Sequence, residues 1–101
     1  MHFKINYLDQ VYEDLFAITT WYASQQEGLQ NKFNEYFKLS IINIQQFPLA
    51  YQIKYKNIRV AYTKKFPYGI YFIVNKTNNS ILIIAVLHTK RNKEIIKSRL
   101  S

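Results

Sequence analysis

The chain has 101 residues, of which 49% are hydrophobic and 17% aromatic, and it carries a formal net charge of +8. This length supports a single domain, residues 1–101, and the apolar fraction excludes an intrinsically disordered chain. The absence of cysteine excludes disulfides and thiolate metal sites, and we expect a cytoplasmic protein. No signal peptide is evident, and no apolar run approaches the roughly 18 residues that span a membrane, so no membrane partner is expected.

The positive charge is concentrated in the second half of the chain. Residues 1–50 contain three lysines and five acids, a balance of −2, whereas residues 51–101 contain eleven basic side chains and one acid, a balance of +10. A basic region of this kind is typical of a site for a polyanion or an acidic protein. The alternative is a solubilising surface, but such surfaces usually mix the two signs. We therefore predict that these cations form one binding surface.

A short strand is predicted at the start of the chain. Apolar and polar residues alternate there, with the apolar ones at Phe3, Ile5 and Tyr7. Asp9 is the expected N-cap of the helix that follows.

Two helices are predicted next. The buried stripe of the first helix has spacings of four, three and four, through Val11, Leu15, Ile18 and Tyr22. Trp21 lies beside this stripe, and the helix is expected to end near Gln26, with Gly28 in the left-handed conformation. A second stripe runs through Leu29, Phe33, Tyr36, Phe37, Ser40, Ile41, Ile44 and Phe47. Pro48 ends it, and so short a turn between the helices predicts an antiparallel hairpin.

The remaining chain predicts a sheet. Leu49–Asn57 is interpreted as a polar connection. Three apolar runs separated by turn residues follow, which predicts a three-stranded antiparallel meander, with strands in Ile58–Phe66, Ile70–Asn75 and Ile81–Leu87. The third run is almost unbroken, which is typical of an interior strand covered on both faces. Ile95, Ile96 and Leu100 then indicate a short helix on the sheet or a frayed tail.

These elements predict an α+β fold with the order β-α-α-β-β-β and a possible C-terminal helix. The helix hairpin is expected to cover one side of a small, mostly antiparallel sheet. Because the hairpin is a crossover connection, the first strand can pair in parallel with a later one.

A series of residues along nearly the whole chain occurs in a characteristic order and spacing. It consists of Trp21-Tyr22, Gly28-Leu29, Phe47-Pro48, Arg59, Phe66-Pro67-Tyr68, Ile70-Tyr71, and Val86 through His88 to Arg91. This series resembles the RelE/ParE toxin superfamily of bacterial type II toxin–antitoxin systems. It looks most like the ParE-type branch, whose members are often called plasmid stabilisation proteins.

The resemblance implies a small basic toxin that inhibits growth and a cognate antitoxin that covers it with an acidic or amphipathic segment. Some members enter the ribosomal A site and cut mRNA, whereas others inhibit DNA gyrase without a known hydrolytic site of their own. The branch favours inhibition of gyrase by binding. The alternative is a ribosome-dependent mRNA endonuclease, and a further alternative is an inactive homologue that only binds antitoxin.

A nuclease would need groups for proton transfer and cations for the charge that builds on phosphorus. His88 is the candidate proton shuttle, with Arg59 and Arg91 as catalytic cations. The alternatives are a strand-end histidine that hydrogen-bonds the backbone and, for Arg59, a position on a solvated sheet face. The predicted binding residues are Lys54, Lys56, Arg59, Lys64, Lys65, Lys90 and Arg91.

Two positions depart from the nuclease pattern. Ribosome-dependent members resembling this chain carry an arginine where this sequence has Gly69, and several have a functional tyrosine near Ile96. The sequence also lacks a cluster of His, Asp and Glu at metal-ligand spacing, and its two glycines leave no phosphate loop. We therefore expect no cofactor, and any nuclease activity would be independent of metal.

Overall fold

A computed structural model describes residues 3–91 and 93–100 of the chain. Its elements are β1 (Lys4–Tyr7), α1 (Asp9–Gln25), α2 (Leu29–Gln46), a 3-10 turn (Pro48–Ala50), β2 (Gln52–Tyr55), β3 (Ile58–Tyr62), β4 (Tyr68–Asn75), β5 (Ser80–His88) and α3 (Glu94–Leu100). The predicted α+β class, the helix hairpin and the C-terminal helix are confirmed. None of the helices in the described ranges has the length and hydropathy needed to cross a bilayer.

The strands form one sheet of five in the order β1-β5-β4-β3-β2. Strands β2 to β5 make an antiparallel meander, while β1 pairs in parallel with β5, from Lys4 opposite Ser80 to Tyr7 opposite Ile83. The parallel pairing is possible because the helix hairpin crosses the sheet before the chain returns. As predicted, β5 is an interior strand.

The segment 49–57, predicted as a connection, contains the end of the 3-10 turn and the edge strand β2. All four residues of β2 are exposed, so the strand has no buried face and therefore no alternation that the sequence could reveal. Backbone pairing with β3 holds it in place, with Gln52 opposite Val60 and Ile53 opposite Arg59. The predicted three-stranded meander is thus extended to four strands.

The start of α1 also differs from the prediction. Leu8, not Asp9, occupies the N-cap position, and no side chain caps the helix there. The N–H of Leu8 donates to the carbonyl of Ile83 at 3.0 Å, so the strand pairing continues directly into the helix. Asp9 is the first helical residue, where its carboxylate is favoured by the helix dipole. Gly28 has φ 83°, the left-handed conformation that the sequence predicts.

The sheet is covered on both faces, which explains the nearly continuous apolar runs of its central strands. The helix hairpin packs on one face, over a core that includes Val11, Phe33, Phe37, Ile44, Ile70, Phe72 and Ile83. Helix α3 packs on the other, over Ile58, Val60, Tyr71, Ile84, Ala85, Leu87 and Ile96. The second core is the reason that both sides of β3 are buried.

An ion pair joins α1 and α3 around the edge of β5. The two guanidinium nitrogens of Arg99 donate to the two carboxylate oxygens of Asp14 at 2.6 and 2.7 Å. Asp14 also accepts the N–H of Val86 at 3.0 Å, and Arg99 donates to the carbonyl of Ile84 at 3.0 Å. The hydrogen bond to Asp14 raises the pKa of Arg99. These contacts satisfy backbone groups of β5 just beyond the end of β1.

Replacing Asp14 should therefore destabilise the fold. In Asp14→Ala the N–H of Val86 loses its acceptor and Arg99 loses its counter-charge, and we expect the free energy of unfolding to fall by about 3 kcal/mol. The matched control is Glu13→Ala, an exposed neighbouring acid, for which we expect a change within about 0.5 kcal/mol. Urea unfolding measures both, and equal stability of the two variants would contradict the role given to Asp14.

Candidate functional site

A cleft of about 390 Å³ lies between α1 and the C-terminal end of β5. Glu13 and Ile18 of helix α1 line it, together with four α1 residues at spacings of four, three and four. These residues are Gln10, Asp14, Ala17 and Trp21. The stripe lies next to the apolar stripe that packs on the sheet, so the cleft runs along the side of the helix. We call it the Trp21–Arg91 cleft.

The ends of β5 and β4 form the floor of this cleft. Val86 and His88 project from the same face of β5, because alternate strand residues share a face. Tyr68 lies opposite His88 in the pairing of β4 with β5, and the two rings meet edge to face with centroids 5.4 Å apart. Trp21 stands at the rim with 56% of its surface exposed. The cleft therefore combines aromatic rings with an apolar floor.

The loop after β5 presents Arg91 to the cleft from a fixed backbone. The N–H of Thr89 donates to the carbonyl of Pro67, and that of Arg91 donates to the carbonyl of His88, both at 2.8 Å. The ammonium of Lys93 donates to the carbonyls of Thr89 and Arg91 at 3.0 and 2.9 Å. Within residues 3–91 and 93–100, the guanidinium of Arg91 makes no hydrogen bond or ion pair. It is therefore available to a ligand.

His88 is oriented by a backbone hydrogen bond. Its Nδ1 accepts the N–H of Lys90 at 3.1 Å, which is the alternative that the sequence left open. In the neutral imidazole the proton then resides on Nε2, so this nitrogen is a donor to any group in the cleft. In the described part of the chain, no three His, Asp or Glu side chains are grouped so that they could hold a metal ion.

Arg59, the third predicted catalytic residue, lies elsewhere. Its guanidinium donates to the carbonyl of Tyr51 at 2.7 Å and to that of Leu49 at 3.3 Å, which fixes the chain between the 3-10 turn and β2. Arg59 of β3 pairs with Phe72 of β4, whereas His88 of β5 pairs with Tyr68, which lies four residues away on β4. With about 3.3 Å per residue and about 4.8 Å between strands, the backbones of Arg59 and His88 are roughly 16 Å apart. The predicted catalytic set is thus divided.

The predicted binding cations are divided as well. Lys64 and Lys65 lie in the turn between β3 and β4, and Lys90 and Arg91 in the loop after β5. The hydrogen bond from Thr89 to Pro67 holds these two loops together at one end of the sheet. Lys54 and Lys56 instead lie near α3, where each lines a groove that also contains Tyr55 and Lys97.

The two positions that depart from the nuclease pattern lie in the second core. A Cβ at Gly69 would lie 3.1 Å from both the ring of Tyr71 and the side chain of Val60, so the Tyr71 ring fills the space over Gly69. Ile96 packs against the same core from α3 and is 4% exposed. The Tyr71 hydroxyl is buried without a hydrogen-bond partner in the described residues. Burial, and then the charge of Tyr62, raise its pKa.

Sequence reasoning did not identify three members of the cleft. Asp14 and Trp21 each precede a residue of the core stripe by one position, so they form a second stripe with the same helical spacing. This second stripe is the sequence signal that could have identified them as neighbours in the cleft. Arg99 offers no comparable signal, because its contact with Asp14 spans 85 residues.

Comparison with known proteins identifies the family. The family model for the ParE toxin of the type II toxin–antitoxin system parDE matches residues 5–93. The chain therefore belongs to the ParE toxin family, within the RelE/ParE superfamily. No curated protein matches the sequence at a significant level.

Three solved structures share the fold. A chromosomal ParDE toxin–antitoxin system from P. aeruginosa superimposes with a TM-score of 0.72 at 16% identity, covering 86% of this chain and 96% of that one. The toxin RelE of E. coli gives 0.65 at 9% identity, covering 99% and 96%. A RelBE2 toxin–antitoxin complex from Mycobacterium tuberculosis gives 0.60 at 10% identity, covering 87% and 99%.

The packing over Gly69 leads to a stability prediction. Because an added methyl group would press on Tyr71 and Val60, Gly69→Ala should lower the free energy of unfolding by about 1–3 kcal/mol. Tyr71→Phe removes a hydroxyl that has no partner, so it should leave stability unchanged or raise it by about 1 kcal/mol. Chemical denaturation tests the pair, and a neutral Gly69→Ala would show that the ring does not fill this space.

Tyr68 should make the free energy of unfolding decrease at alkaline pH. Burial, followed by the hydrogen bond with Tyr22, raises the pKa of Tyr68 to about 12 from the ordinary value of 10.0. The unfolded chain loses this proton near its ordinary pKa, so the contribution to stability is complete below pH 10 and is lost as pH rises towards 12. We expect a smaller decline of stability over this range in Tyr68→Phe, measured by denaturation at several pH values. An unchanged slope would contradict the assignment.

Proposed function

We propose that this toxin inhibits growth by binding DNA gyrase in the cytoplasm and that a cognate antitoxin neutralises it. Membership of the ParE family supports gyrase as the target, because the ParE branch is the one whose members inhibit gyrase. In this proposal the toxin binds its target and performs no hydrolysis of its own.

The observation that carries the proposal is the apolar face of the sheet beneath α3. Ribosome-dependent toxins that this chain resembles typically have an arginine at the position of Gly69, and several have a functional tyrosine near Ile96. Here the ring of Tyr71 covers Gly69, and Ile96 is buried in the same core. Neither position can present charge to a phosphate. The cation and the tyrosine expected at these two positions of an RNA-cleaving site are thus missing, and with them their contribution to stabilising charge at the phosphate.

An antitoxin partner is supported by the charge of the surface and by the relatives. The similar structures from P. aeruginosa and M. tuberculosis are of toxin–antitoxin systems. In this chain, the loops after β3 and β5 adjoin at one end of the sheet and carry four cations between them, which suits an acidic segment. These cations are Lys64, Lys65, Lys90 and Arg91.

A ribosome-dependent, metal-independent mRNA endonuclease is the second candidate, because His88 and Arg91 share one cleft. Against it, the guanidinium of Arg59 is engaged by two backbone carbonyls, away from that cleft. An inactive homologue that retains only antitoxin binding is the further alternative.

A supercoiling assay tests the proposal. Purified toxin added to gyrase, ATP and relaxed plasmid should prevent the appearance of supercoiled plasmid on a gel. The antitoxin encoded by the neighbouring reading frame should restore supercoiling, because it covers the surface that binds the target. Unaffected supercoiling at large toxin excess would contradict the proposal.

Pulse expression followed by primer extension on cellular mRNA separates the alternatives. New cuts at codon boundaries that disappear in His88→Ala, but persist in the matched variant His2→Ala, would establish the nuclease. If neither gyrase nor mRNA responds while the antitoxin still binds, the inactive alternative is correct.

A further inference from the structure

Strand β3 extends beyond the edge strand β2 and leaves part of its own edge open. The pairing of β2 with β3 begins at Gln52, opposite Val60, whereas β3 continues to Tyr62. The chain before Gln52 forms the 3-10 turn, which Arg59 fixes with two hydrogen bonds to backbone carbonyls. In the described part of the chain, no strand therefore lies beside Tyr62 on this side of β3.

The backbone of Tyr62 is directed towards this open side. The N–H of Thr63 donates to the carbonyl of Tyr68 at 3.0 Å, so these two residues form a hydrogen-bonded pair at the end of β3 and β4. Such pairs alternate with the other kind along an antiparallel ladder, and the next pair, Tyr62 with Gly69, is of the other kind. The N–H and the carbonyl of Tyr62 thus point away from β4. Neither makes a hydrogen bond within the described residues.

A groove of about 540 Å³ lies between this open edge and α2. Ala61 lines it from the face of the sheet that carries the helix hairpin. Helix α2 contributes the exposed side chain of Leu39 and the side-chain amide of Asn43, which makes no hydrogen bond within the described residues. The groove therefore combines unpaired backbone groups on one wall with apolar and amide side chains on the other.

The groove is basic at one end. Lys64 lines it, and the ammonium of Lys65 lies 5.9 Å from the centroid of the Tyr36 ring, which also lines it. None of the described residues that line the groove is acidic. An acidic segment would therefore be attracted to this end, whereas a second copy of this basic chain would bring like charges to it.

We infer that the groove between α2 and the open edge of β3 receives an extended acidic segment of the target protein, which joins the sheet as a further strand. The backbone of the segment bonds the N–H and the carbonyl of Tyr62, as in other peptides that add to a sheet edge. The residues next to this bonded one point towards Ala61 and Leu39, because strand side chains alternate, and an apolar side chain buries its surface there. An acid of the same segment pairs with Lys64.

The inference rests on the proposed function, because gyrase is the target to which it assigns the segment. A toxin that performs no hydrolysis inhibits through its contacts with the target alone. The open edge of β3 supplies such a contact, since an unpaired strand edge is a template for pairing with another chain.

Hydrogen exchange of the full-length toxin, resolved to single residues by mass spectrometry, tests the added strand. The probe is purified gyrase in excess. We expect the amide of Tyr62 to exchange rapidly in the free toxin and about tenfold more slowly with gyrase, because the new strand accepts its hydrogen. The internal control is the amide of Ala61, which faces Ile70 of β4 and should be protected in both states.

A matched pair of variants tests the apolar wall of the groove. Leu39 and Ile42 are both exposed on α2, at 52% and 47%, but only Leu39 of the two lines the groove. Leu39→Ser should raise the toxin concentration that half-inhibits supercoiling about tenfold. Ile42→Ser should change it less than about twofold.

The outcomes separate this inference from the proposed function. If wild-type toxin inhibits gyrase while the Tyr62 amide exchanges at its free rate and Leu39→Ser inhibits normally, the groove assignment is wrong and the proposed function stands. If wild-type toxin does not inhibit gyrase, the proposed function fails and the assignment of the segment fails with it. Protection of the Tyr62 amide by the antitoxin of the neighbouring reading frame, but not by gyrase, would also overturn the inference.

Discussion

Strand β5 extends beyond the last residue of its neighbour β1. Along that part of its edge, the carboxylate of Asp14 and the guanidinium of Arg99 bond to the β5 backbone in place of a neighbouring strand. Asp14 accepts a backbone N–H of β5, and Arg99 donates to one of its carbonyls. The two side chains are only 11% and 13% exposed, but each neutralises the other, so the edge is closed without an unpaired buried charge. Because Asp14 is on α1 and Arg99 on α3, this contact fixes the helices of the two faces relative to each other.

The position of α3 determines which surfaces remain for function. By covering Ile58, Tyr71 and Leu87, it converts that part of the sheet into a second core. The guanidinium of Arg91, which has no partner among the described residues, lies at the end of the sheet where the loops after β3 and β5 adjoin. The packing of α3 on one face thus leaves the basic loops at the end of the sheet exposed to solvent.

Most of the fold was predictable because it follows from local patterns. The helical stripes, Gly28 and the apolar run of β5 each determine their own element. β2 was not predictable, since an exposed edge strand held by backbone pairing has no side-chain period. The division of the basic residues between the end of the sheet and the region near α3 was not predictable either. The guanidinium of Arg59 donates to the carbonyls of residues 49 and 51, and only the folded chain reveals that contact.

The parallel pairing of β1 with β5 has a consequence for synthesis. A ribosome makes the N-terminal strand and α1 first, but the partners of both come much later in the chain: Ser80–Ile83 for β1 and Arg99 for Asp14. Long-range contacts of this kind form slowly and only once both segments exist. A partly made chain thus cannot display the finished protein's surface, which forms only after translation has passed these residues.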